Sequence, residues 1–386
     1  MLYDVIVVGA GPAGAVLAHQ IASQGHQVLV LEKANLPRYK PCGGGLPFKT
    51  IQALPFDVSD VFEVEPNKGI LTYDGAFLFQ ASLPLPFGAM VIRPAFDQYL
   101  IQRATAAGAQ LRTDCRMTSV EQTADGVTVH TETEAFNARV LVGADGVNST
   151  VAAAVDLLPN RTTGVALEAE LSVPSDVMQR RGRSATFDFG ALPRGYGWIF
   201  PKREQLSVGV FRASKDHAPR LKQRLERFLD RQPDLSAREV VHLQGHRIPL
   251  GGDHATLHRG RVLLIGDAAN LVDPWLGEGI YYAVRSAQIA ADVIREALDR
   301  PGAPNLSHYT RRINKTLVPH FQDARQLARL VYGLPYLCSR LLERSAVVQE
   351  MTFGAVRGTH TFRQLKRALV RRAPRILVQT VRGSDT

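Results

Sequence analysis

The stretch RYKPCGGGLP, Arg38 to Pro47, sets a lone cysteine before three glycines. Cys42 could act as a nucleophile, a metal ligand, a redox partner or a small residue in a tight turn. The other cysteines, Cys115 and Cys338, form no CxxC pair with it, so neither a metal site nor a disulfide framework is expected. A second group is GAGPAG, with glycines at 9, 11 and 14. Gly9 permits a turn, Gly11 lets a pyrophosphate approach the backbone, and Gly14 lets a helix lie against a strand. Pro12 and Ala13 open that helix, whose first N–H groups favour an anion. Glu32 lies 18 residues after Gly14 and can accept hydrogen bonds from a ribose. Further along stand Asp145-Gly146, Gly266-Asp267 and the run Gly277-Glu278-Gly279-Ile280. Tyr196, Trp198 and Phe200 fall on alternate positions of a strand pattern, which puts three rings on one face.

The elements that must hold these residues are readable around them. YDVIVV is an apolar run for a strand buried on both faces, AVLAHQIASQG is a helix, and QVLVLEK is a second strand ending near Glu32. Together they form a complete dinucleotide-binding unit, and the choice between FAD and NAD falls to the rest of the chain. Asp267, at the carboxyl end of a strand, can hydrogen-bond a polyol such as a ribityl chain. The turn at Gly277–Ile280 starts a long helix whose N–H groups can face the electron-rich edge of an isoalloxazine. These features together point to FAD.

The order GxGxxG, DG, GD and GEG resembles the large family of FAD-dependent oxidoreductases that includes aromatic-ring hydroxylases and geranylgeranyl reductases. The resemblance covers roughly residues 1–300. PCGGGL and GYGWIFPK, the latter with Lys202 and a following strand containing Gly209, resemble the geranylgeranyl reductases in particular. The implied fold is α/β: a Rossmann-like FAD-binding domain (1–67, 88–160 and 255–300), an inserted antiparallel-sheet substrate domain (68–87 and 161–254), and a basic helical C-terminal region (301–386).

For FAD the resemblance implies Gly9, Gly11, Pro12, Ala13, Gly14, Glu32, Lys33, Arg38, Cys42, Gly43, Gly44, Gly45, Arg93, Met117, Asp145, Gly266, Asp267, Gly277, Gly279 and Ile280. For the substrate pocket it implies Tyr196, Trp198, Phe200 and Pro201, with Cys42, Tyr196 and Trp198 as catalytic candidates. The implied chemistry is reduction of isolated C=C bonds in a geranylgeranyl chain, with hydride from reduced flavin N5 and a proton for the other carbon. Tyr196, Cys42 and a bound water are the candidate proton donors. Electrons would come from NADPH or a ferredoxin-like carrier, since the chain has no second GxGxxG unit. Two other readings share the fold, a flavin monooxygenase or halogenase and a non-catalytic electron carrier. The W-x-W-x-I-P motif of halogenases is missing, and WIFP keeps only its tail.

The net charge of +10 is unevenly distributed: from Arg311 onward there are 15 Lys and Arg against four acids. Leu, Val, Phe and Tyr alternate with these arginines in helical patterns. That composition suits peripheral attachment to an anionic membrane face, or helices packed on their own domain. Nucleic-acid binding is not expected, because no recognisable module accompanies the charge. The first 22 residues lack a basic leader and contain Asp4, so they are read as part of the fold rather than as a signal peptide. The expected location is cytoplasmic, with attachment to the cytoplasmic membrane face.

Overall fold

The computed structural model describes residues 1–158, 161–214, 220–300 and 302–382, with side chains up to 372. The ends of the basic region, 301 and 383–386, thus lie outside the described residues. Apolar runs of the N-terminal part, joined by two strands from 258–264, build an eight-stranded sheet. Its central strand, Leu2–Val8, pairs in parallel with Val28–Leu31 on one side and with Ala135–Gly143 on the other. Val262–Leu264 extends the parallel order beyond Ala135–Gly143. Val5, Ile6, Val7, Leu29 and Val30 are fully buried, as expected of a parallel sheet covered on both faces. Helix Pro12–Ala22 packs against helices Arg93–Ala106 and Ile280–Leu298. The carboxyl ends of the strands, where a ligand binds in sheets of this kind, therefore open on one edge.

A seven-stranded sheet carries the second half of the site. Its order is Glu239–Pro249, Thr163–Ser172, Leu206–Arg212, Gly195–Pro201, Ser184–Asp188, Lys68–Tyr73, Ala76–Ser82. Pairing is antiparallel except between Ser184–Asp188 and Lys68–Tyr73, which run parallel. Lys68–Tyr73 and Ala76–Ser82 form a hairpin whose turn residues Asp74 and Gly75 both have positive φ, at 53° and 84°. Buried Asp188 fastens that turn, accepting from Thr72 Oγ1 at 2.8 Å and from the Gly75 N–H at 2.7 Å. One face of the sheet packs Ile199, Val208 and Val210 against Leu225 and Phe228 of helix Leu221–Asp230. The opposite face carries the aromatic residues, so the strand periodicity alone separates core from site.

The C-terminal region forms helices Ser307–Thr316, Val318–Gly333, Pro335–Arg344, Ala346–Arg357 and Phe362–Arg382. Helix Ser307–Thr316 packs Tyr309 and Ile313 into the core of the first sheet, and the apolar faces of the other four meet in a core of Leu327, Val331, Leu341, Val348, Phe362 and Leu365 around Trp275, a residue of the loop before helix Ile280–Leu298. Phe362 sets its ring edge-on to Trp275 at 5.4 Å. Several arginines pair outward, Arg363 with Asp323 at 3.0 Å and Arg325 with Asp253 at 2.9 Å. Such exposed pairs contribute about 0–1 kcal/mol each, so the apolar face holds these helices in place. No described helix is long and apolar enough to cross a membrane.

Candidate flavin and substrate site

A cavity of about 660 Å³ lies among the strand ends of the first sheet, the aromatic face of the second and the C-terminal helices. Its nucleotide end is shaped by three glycines, two of which admit no side chain. Gly9 has φ +105°, and a Cβ there would stand 2.4 Å from the Ala144 carbonyl oxygen. A Cβ on Gly14 would meet the Gly9 oxygen at 1.9 Å, so the helix touches the turn. A Cβ on Gly11 meets only the Arg38 guanidinium, at 3.7 Å, which leaves this face open to a phosphate. No side chain caps the helix at Gly11, so its first N–H groups are left for an anion.

Glu32, 4% exposed, accepts from the Ala10 N–H at 2.9 Å and the Ala34 N–H at 3.1 Å. Two guanidiniums share one buried carboxylate beside it. Arg93 bonds Asp97 at 2.8 and 2.9 Å, and Arg38 reaches Asp97 at 3.1 Å and Glu32 at 3.5 Å. Burial opposes the charge on Arg93, but Asp97 and the Cys42 sulfur keep it protonated. The uncapped helix, the open glycine face, the ordered carboxylate and the arginine pair fit the pyrophosphate and ribose of FAD. Lys33, Met117, Asp145, Asp267, Gly277, Gly279 and Ile280 line the same cavity.

The cysteine-glycine loop lies against the aromatic wall. Tyr196, Trp198 and Phe200 share one face, with successive ring centroids 6.2 and 6.3 Å apart, and all three line the cavity. A Cβ on Gly43 would stand 3.1 Å from both Trp198 Nε1 and Phe200. Gly44 has φ +66°, and a Cβ there would meet the Val91 oxygen at 2.1 Å. From the other side a Cβ on Gly209 would meet the indole at 2.2 Å, so Trp198 is held between two glycines. The loop glycines are thus packed against protein, Gly43 against the Trp198 and Phe200 rings and Gly44 against the Val91 backbone.

Several polar groups in and around the site are engaged with their neighbours. Tyr196 donates its hydroxyl to the Leu276 carbonyl at 2.6 Å, and burial raises its pKa further, so its proton is committed. Asp273, fully buried, accepts from the Trp275 and Leu276 N–H groups at 2.6 and 2.8 Å, and burial pushes its pKa up to about 6. Lys40 lies 3.0 Å from His246 Nε2. Burial, with Lys40 and Arg93 beside it, lowers the His246 pKa to about 3, so the neutral ring accepts from the lysine. Lys49 pairs with Glu278 at 2.7 Å, above the Tyr281 ring at 4.7 Å.

Four expected site residues stand off the cavity or are engaged elsewhere, of which Gly14 seats the helix as its spacing predicts. Pro201 is buried in its strand but does not line the cavity, because it falls on the opposite side of the pleat from Phe200. Gly14 and Gly266 stand behind the wall: Gly14 seats the helix, and a Cβ on Gly266 would press on Ala13 at 3.0 Å. Asp145 borders the cavity, but its carboxylate accepts from Ser149 Oγ and the Thr150 N–H, both at 2.6 Å, and so fastens the start of helix Thr150–Ala154.

Sequence reasoning missed Asp97, which stands behind Arg93 and Arg38, and the cavity-lining Lys40, His246 and Glu168, together with Ala355, Val356 and Phe362 from the C-terminal helices. For Glu168 a signal existed. Its alternation with Ala166 places an acid on the inner face of a buried strand.

The profile of the FAD binding domain family matches residues 2–315. The digeranylgeranylglycerophospholipid reductase 1 of Methanopyrus kandleri is 30% identical over 86% of this chain and 91% of its own length. The chloroplastic geranylgeranyl diphosphate reductase of Oryza sativa is 31% identical over 90% of this chain and 80% of its own. Among solved structures, a geranylgeranyl bacteriochlorophyll reductase-like protein from Thermoplasma acidophilum superposes with a TM-score of 0.76 at 21% identity, over 96% of this chain and 95% of its own. A flavin-dependent brominase gives 0.74 at 17% identity, over 99% of this chain and its own whole length, so the fold is shared with enzymes of other chemistry. With the FAD-binding geometry and the PCGGGL and YGWIFPK segments in place, the chain belongs to the geranylgeranyl reductase family of FAD-dependent oxidoreductases.

Proposed function

We propose that this enzyme reduces isolated C=C bonds in a geranylgeranyl chain carried by a lipid, pigment or quinone precursor. The observation that carries this reading is the wall of Tyr196, Trp198, Phe200 and Phe211, joined to Val356 and Phe362, in the same cavity as the FAD-binding turn. An unpolarised alkene offers no atom for a strong acid or base to grip, so an apolar slot that excludes water and fixes the double bond is what the chemistry needs. Reduced FAD supplies the hydride when bound. The protein's part is to hold the chain and deliver a proton to the second carbon. Tyr196 is a poor donor because its hydroxyl is spent on Leu276. Cys42, half-buried on the cavity wall, and an ordered water are the better ones.

The test is mass spectrometry of a geranylgeranyl substrate incubated anaerobically with dithionite-reduced holoenzyme. Each reduction step adds about two mass units as one hydride and one proton. Cys42→Ala is expected to keep FAD while lowering the rate or changing the number of bonds reduced. An unmodified chain beside flavin that stays reduced would replace this reading with the electron-carrier one, and oxygen-dependent hydroxylation or halogenation of an aromatic compound would replace it with the monooxygenase or halogenase one. Replacing dithionite by NADPH, then by a reduced ferredoxin, identifies the electron donor.

The long-chain substrate also favours work at a membrane face. Arg363, Arg367 and Arg371 are exposed on helix Phe362–Arg382. Exposed Leu334 and Tyr336 lie at the start of helix Pro335–Arg344, and Tyr336 meets Tyr73 of the edge hairpin at 5.8 Å. Binding to phosphatidylglycerol vesicles, absent with phosphatidylcholine and lost near 1 M salt where screening acts within about 3 Å, is the expected result. Equal recovery with both vesicle types would remove the electrostatic basis for attachment.

A further inference from the structure

Two buried residues of opposite charge grip the cysteine-glycine loop, one at each side of the Cys42–Gly43 peptide. Glu168 and Lys202 are each 3% exposed. One Glu168 oxygen accepts the Cys42 N–H, and the other accepts the Ser207 hydroxyl at 2.7 Å. Ser207 Oγ in turn accepts from Trp198 Nε1 at 3.3 Å. Lys202 Nζ donates to the Gly43 carbonyl at 2.7 Å. The loop closes on itself through Gly44 N–H to Cys42 Sγ at 3.4 Å, and the Val91 N–H anchors the Gly44 carbonyl at 2.8 Å. A single chain of contacts therefore runs from the Cys42 amide through Glu168 and Ser207 to the Trp198 indole.

Burying two such charges is costly, and a well-packed apolar pair would fill the space at no loss of stability. Their bonding partners show what the charges accomplish. Glu168 reaches the loop from strand Thr163–Ser172, and Lys202 reaches it from the end of strand Gly195–Pro201. Both end on the backbone beside Cys42, where an apolar residue could supply neither an acceptor nor a donor. These two bonds put an ionisable group on the backbone, and charge-assisted bonds of this kind hold geometry most firmly.

We propose that Glu168 and Lys202 are positioning residues of the reduction, fixing the Cys42 thiol and the Trp198 ring in one relation across the substrate slot. Ser207 transmits that constraint to the indole. The inference rests on the prenyl-reductase reading for its consequence in product, but not for its consequence in the loop.

The experiment compares wild-type holoenzyme with Glu168→Gln and Ser207→Ala. Peptide mass spectrometry follows alkylation of Cys42 by iodoacetamide, with buried Cys115 and Cys338 as internal references. An amide keeps one acceptor for the Cys42 N–H without its charge and offers none to the Ser207 hydroxyl, so the loop loosens and Cys42 in Glu168→Gln is expected to react about tenfold faster or more. Ser207→Ala, which leaves the Cys42 amide bond in place, should give a smaller rise. In both, products should shift toward partially reduced chains while FAD stays bound. If Glu168→Gln fails to fold, Ser207→Ala decides alone. Cys42 reactivity and product pattern unchanged from wild type in every variant that folds would overturn the proposal. Faster alkylation in a protein whose wild type reduces no prenyl chain would keep the loop assignment and discard the prenyl reading.

Discussion

Gly14→Ala is expected to yield a protein that folds poorly and retains little FAD. The added Cβ would stand 1.9 Å from the Gly9 oxygen and 3.2 Å from Val7, inside contact distance for any atom pair. Helix Pro12–Ala22 must then lift from the strand, or the turn at Gly9 must move. The turn has little freedom, because Gly9 already has φ +105° beneath Ala144. Overpacking of this kind costs about 3 kcal/mol, and here the displaced atoms are those that face the pyrophosphate. The measurement is the FAD-to-protein absorbance ratio after gel filtration, alongside a denaturant midpoint. Gly11→Ala serves as the contrast: its Cβ faces open cavity, so stability should hold while FAD affinity falls. Stoichiometric FAD in Gly14→Ala would contradict the packing account.

Asp97→Ala should be the most damaging change of a single charge. Asp97 is 1% exposed and neutralises both Arg93 and Arg38. Removing it leaves buried Arg93 without a carboxylate and Arg38 with Glu32 alone, at a cost of about 3–5 kcal/mol. A bound pyrophosphate would offset part of that cost, so FAD should raise the variant's unfolding midpoint more than it raises the wild type's. Asp97→Asn keeps the shape and one acceptor and should fall between the two. Destabilisation that FAD does not relieve would place the arginine pair away from the phosphates and assign it to folding alone.

The dinucleotide unit was legible because each of its signals is local. A β-branched run, glycines at fixed spacing, a helix and an acid at the end of the next strand follow one another in sequence, and the structure joins them through neighbouring strands. The aromatic face of Gly195–Pro201 was legible for the same reason, since a period of two assigns Tyr196, Trp198 and Phe200 to one side. The same rule should have excluded Pro201, which takes the other side of the pleat. Asp145 also carried a local signal: Ser149 and Thr150 follow it closely, and such residues draw a carboxylate into fastening a helix start.

The basic C-terminal helices were readable as amphipathic, but periodicity says only that an apolar face exists, not what covers it. Their partner is Trp275 in the loop before helix Ile280–Leu298, and the contact brings Phe362 into the cavity.

By itself, the sequence determined the nucleotide-binding unit, because backbone conformation and side-chain periodicity are properties of neighbouring residues, while the family was carried by the resemblance of its PCGGGL and GYGWIFPK segments. Only the tertiary structure decided what Cys42 and the three glycines touch. Strand register places Gly209 opposite Trp198 and brings Glu168 level with both. The need to pair every buried charge then draws Glu168 and Lys202 onto the loop from strands far away in the chain.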